Sequence, residues 1–288
     1  MQNPARRLGL LICLLLALAA APSFPGDTDM RESVRIGLTS VFLDDQATFL
    51  NLWREYLEKR LGRHVVFVQR GRYREITDLI KQDKLDFAWV CGYPYVRSKT
   101  QMKLLAVPVF KGKPLYRSYL IVPRTDTTTK SLLDLRGKIF AYSDPDSNSG
   151  YLFTQYSLYR VKEQANAFFR KTFFTWGHRK VVEAVAAGLA QGGAVDGYIW
   201  ETLALLHPEL TAQTRVVEQS PEFGFPPFVA RSSISAPEFG RMQQVLTAML
   251  NDPEGKQLLG RMNLEGFTAA LPSLFDSIAL MAHATQGS

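Results

Sequence analysis

Apolar residues along this chain alternate between two patterns: short unbroken runs, and longer stretches spaced by three and four. Val34-Arg35-Ile36-Gly37-Leu38 and Val65-Val66-Phe67-Val68 have the composition of buried strands. Between them, Phe49, Leu50, Trp53, Tyr56, Leu57 and Leu61 fall on one side of a helix over Asp44 to Leu61, which Gly62 stops. Tyr73 to Gln82 repeats the helical period, and Leu85 to Val90 reads as a third strand. Further on, Leu104 to Val109 and Tyr116 to Val122 are extended, Leu132 to Gly137 is a helical turn, and Ile139 to Tyr142 is a strand. A helix from about Gly150 to Arg160 follows, then a strand at Phe173-Phe174, a helix over His178 to Ala190 and a strand over Ala194 to Ile199.

Short strands separated by helices predict an α/β fold with parallel strands and crossover helices. Two segments echo one another. Each runs from a helix through a short loop into a strand, with Asp86 and Trp89 in one and Asp196 and Trp200 in the other. The echo suggests two similar lobes, residues 31–122 and 123–220, with the chain crossing near Pro123. Residues 221–288 then return to the first lobe and end in helices. Open α/β sheets bind ligands beyond the carboxyl ends of their strands. The loops after Leu38 (with Ser40), Val90, Ala141, Phe174 and Ile199 would therefore border a cleft.

Arg6 and Arg7, the apolar run Leu8 to Ala21 and its small-residue end have the layout of a secretory signal peptide over residues 1–21. This implies export to the periplasm, and the apolar run is shorter than the roughly 18 residues of a spanning helix. A leader retained as an anchor is the competing reading. The full chain carries a net charge of +7, which loss of Arg6 and Arg7 lowers by two. Such a balance favours collection of anions. The cations are dispersed, and even Arg70, Arg72 and Arg74 read as the solvated start of a helix, so nucleic acid is not an expected partner. Cys91 would be alone after the leader, which excludes an internal disulfide. The four histidines have no metal-ligand spacing, and no cofactor motif is present.

Candidate chemistry concentrates in Tyr142-Ser-Asp-Pro-Asp-Ser-Asn-Ser-Gly-Tyr-Leu-Phe153. Ser147, Asn148 or Ser149 can cap the next helix, and the same side chains with the exposed N–H groups of a helix start can cradle an oxyanion. Asp144 and Asp146 oppose the second reading unless they point away. Both readings stand on the residues alone. Tyr93 and Tyr95, on a Gly/Pro turn, could present hydroxyls or pack in the core. His178, at a helix start, could donate to an anion with a pH-dependent charge, or be a satisfied core residue. Glu201 could face cleft or solvent. Ser147, His178 and Asp196 nominally supply triad residue types, but no spacing singles them out, so no catalytic residue is assigned.

Together "VRIGLTSVF", "YLEKRLGRHVVFV", "KLDFAWVCGYPYV", "SDPDSNSGYL" and "HRKVVEAVAAGLAQGGAVDGYIWE" resemble, in order, the phosphonate/phosphite/phosphate-binding family of periplasmic substrate-binding proteins of ABC importers. The resemblance covers roughly Val34 to Leu271. Its most specific piece is the Asp-Pro-x-Ser-x-Ser-Gly loop at Asp144, Pro145, Ser147, Ser149 and Gly150. It implies a two-lobed type II periplasmic binding protein, each lobe a mixed, mostly parallel sheet flanked by helices, with the ligand cleft between them. Ser147, Asn148 and Ser149 would hold a phosphorus oxyanion, with Tyr93 or Tyr95 from the other lobe and His178 beside them. The implied protein is a non-catalytic monomer that closes on a small anion and is recognised by a membrane permease. The alternatives are delivery to a membrane signalling kinase, or an enzyme on the same scaffold. Two positions depart from the family pattern. Asn148 stands where Thr is common, and Gln191 where an Asp could pair with an aminoalkyl group; Glu201 could replace that Asp.

Overall fold

The computed structural model describes residues 33–39 and 47–286; the expected leader and Ser40 lie outside them. β1 (Val34–Leu38), β2 (Val65–Gln69) and β3 (Phe87–Trp89) are parallel, with β1 in the middle. β4 (Met102–Val109), β12 (Phe228–Arg231) and β13 (Gly266–Thr268) extend this sheet antiparallel, in the order β13-β4-β12-β3-β1-β2. A second sheet contains β6 (Ser118–Pro123), β7 (Ile139–Tyr142), β8 (Lys171–Phe174), β9 (Gly192–Asp196) and β10 (Thr214–Gln219). Its order is β10-β6-β9-β7-β8, with β7 parallel to both β8 and β9. The chain passes between the sheets at 110–117 and returns at 220–227. There β5 (Leu115–Tyr116) and β11 (Phe223–Gly224) pair antiparallel. The first crossing thus precedes Pro123, because β6 already belongs to the second sheet.

Helix α1 (Ala47–Leu61) buries Phe49, Trp53, Tyr56, Leu57 and Leu61, the stripe expected from its spacing. Gly62 follows with φ +65°, a left-handed stop. Trp53 enters an aromatic cluster with Phe67, Trp89 and Phe228, fixing α1 against strands from both ends of the sequence. Helix α2 is Tyr73–Lys81. The second sheet has its own core around Phe140, Tyr142, Leu158, Phe168 and Phe169, with Phe140 and Phe169 stacked at 4.5 Å. Helices α7 (Ala236–Ala248), α8 (Pro253–Arg261) and α9 (Asp276–Thr285) follow the return to the first sheet.

Three local structures differ from the sequence reading. The expected Gly/Pro turn after β3 is a helix, α3 (Gly92–Arg97), so Tyr93 and Tyr95 are helical. Pro94 is tolerated because it lies in the first turn, where its missing N–H would be unpaired anyway. The strand expected over Ala194 to Ile199 ends at Asp196, whose carboxylate accepts from the N–H groups of Tyr198 and Ile199 and starts α6 (Gly197–Leu206). Asp196 therefore closes β9 while Asp86 precedes β3, so the two echoing segments are not structurally equivalent. Finally, α4 (Phe153–Arg160) is preceded by a wide π-type turn over Asn148–Leu152.

Candidate functional site

The parallel strand β7 delivers the chain into the Ser143–Gly150 loop at its carboxyl end. Ser147 Oγ accepts from Gly150 N at 3.0 Å, and Leu152 N reaches back to Ser147 O at 3.0 Å. Ser118 Oγ donates to Ser149 O at 2.7 Å, tying the loop to β6. Asn148 N donates to Cys91 Sγ at 3.2 Å, and Asn148 Nδ2 donates to the Tyr116 hydroxyl at 2.9 Å. Ser143, Ser147, Asn148 and Ser149 are all fully buried. The cap expected from sequence is thus present on Ser147, and it leaves other polar atoms unused.

Four buried side-chain atoms in this neighbourhood lack a hydrogen-bond partner: Ser143 Oγ, Asn148 Oδ1, Ser149 Oγ and the Tyr73 hydroxyl. Tyr73 comes from the other sheet. It begins α2, and its N–H donates to Asp144 Oδ2 at 3.1 Å. Its hydroxyl lies in the electrostatic neighbourhood of Cys91, Asp144, Asp196 and Tyr116, and burial lifts its pKa well above 10. Burial also raises Tyr116 well above 10, and pushes the Cys91 thiol up to about 11 against the N–H groups around it. All three groups remain protonated at neutral pH.

His178 begins α5 (His178–Ala186). Its Nδ1 accepts from Asp196 N at 3.0 Å, which leaves the ring proton on Nε2, 3.5 Å from Ser147 Oγ. Burial lowers its pKa to about 3. The imidazole is therefore a neutral donor of fixed tautomer across the physiological range, without the pH-dependent charge that one of the two sequence readings gave it. The same bonds dismantle the nominal triad. Asp196 offers its backbone N–H to the imidazole while its carboxylate caps α6, so Nε2 carries a proton and cannot take one from Ser147.

The carboxylates that could repel an anion are engaged elsewhere. Asp144 accepts from Tyr73 N and Asp146 N, and Asp146 is held by Arg74 and Arg97. The side chains left to a ligand are hydroxyls, an amide and an imidazole, all uncharged. A separate open groove of about 620 Å³, lined by Leu132, Phe153, Tyr156, Leu280 and Met281 among others, contains none of these residues.

Residues 36–275 match the family model for the periplasmic substrate-binding proteins of phosphonate ABC transporters. The chain belongs to this family. It is 25% identical over 252 residues to the phosphonates-binding periplasmic protein of Escherichia coli (strain K12), covering 84% of this chain and 73% of that one. A binding protein component of an ABC phosphonate transporter from Pseudomonas aeruginosa superposes with a TM-score of 0.81 at 22% identity, over 88% of this chain and 86% of that one. PhnD1 from Prochlorococcus marinus, solved with methylphosphonate, has a TM-score of 0.79 at 19% identity, over 88% and 97% of the two chains. The two sheets therefore form the lobes of a type II periplasmic binding protein. Membership makes the chain the periplasmic substrate-binding component of an ABC transporter of the phosphonate family, with a small ligand and a membrane permease as partners.

Of the residues that sequence singles out, the fold brings Ser147, Asn148, Ser149 and His178 together. Tyr95 packs its ring on Phe275 at 5.0 Å, and Tyr93 is half-buried beneath Arg97. Glu201, carried onto α6, is paired with Lys111 and the Tyr119 hydroxyl. Gln191 accepts from Ile139 N at the opposite end of β7. The residues that join the cluster unforeseen are Tyr73, Cys91 and Tyr116. Tyr73 follows the carboxyl end of parallel β2, a loop that the strand-end rule also marks. Tyr116 carried no signal, because it lay inside a run read as strand.

His178 and Asp196 titrate with opposite consequences for stability. The folded state keeps His178 neutral down to about 3, against an ordinary 6.5. Its contribution is complete above 6.5 and is lost as pH falls below it. Burial raises Asp196 to about 7 from 3.8, so its contribution is present below 3.8 and is lost as pH rises toward 7. Between about 4 and 6.5 the two slopes, each ~1.4 kcal/mol per pH unit, offset. In His178→Gln, stability should therefore fall more steeply than in the parent as pH rises through this window. Urea unfolding at stepped pH checks this; parallel curves would contradict it.

Proposed function

We propose that the cradle holds a compact phosphorus oxyanion (phosphite, phosphate or a short alkylphosphonate) between the lobes, without chemical change. The observation that supports this most is the set of four unpartnered buried atoms, three on the Ser143–Gly150 loop and one on Tyr73, whose N–H bonds that loop. An unsatisfied buried polar group costs about 1–3 kcal/mol, so four in one place call for a partner rich in oxygens. Hydroxyl donors serve an anionic oxygen, and an acceptor such as Asn148 Oδ1 serves a protonated one.

The surroundings favour a ligand without an aminoalkyl arm. Tyr116 packs against Phe225, and Phe225 against Tyr198, at 5.7 and 5.0 Å. Asp144 and Asp196 already accept backbone N–H groups. Binding without chemistry fits a histidine that stays neutral at physiological pH and whose Nδ1 is held by a backbone N–H. Export through the N-terminal leader and action as a monomer belong to the same reading.

A thermal-shift panel of phosphate, phosphite, methylphosphonate, sulfate and methanesulfonate tests it. At least one phosphorus oxyanion should raise the melting temperature by mass action, more than its sulfur counterpart does. No shift with any of the three phosphorus compounds would overturn the proposal. With the strongest of them, Ser149→Ala should cost about 1.5–3 kcal/mol of binding free energy by calorimetry, the range for a hydrogen bond to a charged group.

A further inference from the structure

Besides the cradle, the lobes meet in contacts that involve none of its four unpartnered atoms. Asp146, on the second lobe, is 6% exposed as a residue. It receives Arg74 Nε and Nη2 at 3.1 Å each, and Arg97 Nη1 at 3.3 Å, all from helices of the first lobe. Next to it, Asp144 takes Tyr73 N of the first lobe on one oxygen and Asp146 N of its own loop on the other. Beyond these, Arg72 lies over the Trp176 ring at 4.6 Å, again first lobe to second. Charge, backbone and ring contacts thus join the first lobe to the second, two of them at the loop that carries the cradle.

We propose that Asp146, gripped by Arg74 and Arg97, is a latch that holds the two lobes together in the absence of ligand. Two features distinguish it from an ordinary surface pair. Arg74 binds in a two-point fork, and a second arginine shares the same carboxylate, so the charges form a network and not an isolated couple. The latch is also joined through the backbone to the binding residues. Asp146 and Asp144 lie in the loop that carries Ser147 to Ser149, and Arg74 follows Tyr73 directly. When the fork engages, Tyr73 and the cradle loop are brought together at the same moment.

The physical consequence is a bias in the open–closed equilibrium. A ligand shifts that equilibrium only by its differential affinity for the two forms. A latch that already favours the closed form lowers the ordering cost left to the ligand and slows its escape. Both arginine side chains are substantially exposed, at 63% and 45%. Salt therefore reaches them, and the latch should weaken as ionic strength rises. Its role in ligand retention rests on the cradle being the binding site, whereas the closed bias of the empty protein does not.

The test uses Asp146→Asn beside the parent and Glu163→Gln. The last removes an ion pair with Arg136 that lies wholly within the second lobe. Small-angle X-ray scattering of the ligand-free proteins reads the lobe equilibrium directly. Asp146→Asn should give a larger radius of gyration than the parent, and 0.5 M sodium chloride should move the parent in the same direction. Glu163→Gln should not differ from the parent. Stopped-flow release of methylphosphonate should be on the order of ten times faster from Asp146→Asn, with the melting temperature of the empty protein nearly unchanged. Equal radii for parent and Asp146→Asn would overturn the latch whatever the release rate. If methylphosphonate does not bind the parent, the cradle takes another oxyanion or none, and scattering alone decides the latch.

Discussion

Gly150→Ala is expected to lower oxyanion affinity on the order of a hundredfold and to destabilise the folded protein as well. A Cβ built on Gly150 would lie 1.9 Å from Ser143 Oγ, 2.7 Å from Ser143 Cβ and 3.0 Å from His178 Cε1. Ser143 Oγ can rotate aside, but its Cβ cannot, so the strand end and the loop must separate. That overpacking costs about 1–3 kcal/mol of stability. The displacement also disturbs Gly150 N on Ser147 Oγ and the Ser147–His178 approach, so more than one donor loses its aim. Two charge-assisted bonds at about 1.5 kcal/mol each correspond to roughly the hundredfold loss. Calorimetric titration with the oxyanion that the panel selects, together with urea unfolding of the empty variant, reads both effects. Binding and stability equal to the parent would mean that the loop is not packed as described.

Tyr73→Phe should separate binding from stability in the opposite sense. Its hydroxyl is fully buried, and no protein group hydrogen-bonds to it. Removing it leaves the ring and Tyr73 N on Asp144 in place, and relieves an unsatisfied group. The empty variant should therefore be as stable as the parent, or more so by about 1–3 kcal/mol. Affinity for the selected oxyanion should nevertheless fall about tenfold to a hundredfold, because the hydroxyl finds its partner only in the complex. A melting curve of the empty protein and a calorimetric titration on the same sample give the two numbers. Lower stability with unchanged affinity would place Tyr73 in the core and outside the binding surface.

The architecture was legible wherever periodicity met a clean stop. Helix α1 followed from the spacing of Phe49, Trp53, Tyr56, Leu57 and Leu61 and from Gly62, and β7 occupies the expected Ile139 to Tyr142. Short apolar segments were harder, because four or five apolar residues suit a strand or a buried helix equally. Ala194 to Ile199 divides between the two at Asp196, where a carboxylate bonded to two N–H groups turns strand into helix. That single cap moved Glu201 from a strand-end loop onto α6.

In the candidate site, local chemistry was readable and distant chemistry was not. Ser147 to Ser149 announced themselves as capping residues beside a glycine, all within one loop. Tyr73 and Tyr116 meet that loop only through the pairing of sheets and the closure of lobes, which no local pattern encodes. The opposition expected from Asp144 and Asp146 is resolved by Tyr73 N, Arg74 and Arg97, residues about 50 to 70 positions away in sequence. The family resemblance supplied the pairing of a loop in one lobe with tyrosine in the other. The strand-end rule applied to β2 would have pointed to Tyr73.

The convergence of neutral donors from both lobes on one oxyanion is tested most directly by a crystal structure grown with the phosphorus oxyanion that stabilises the protein most. Density for that anion should lie with its oxygens within hydrogen-bonding distance of Ser149 Oγ and the Tyr73 hydroxyl, which no protein group bonds, and of His178 Nε2. An anion bound elsewhere, with Ser149 and Tyr73 still unpartnered, would contradict the account.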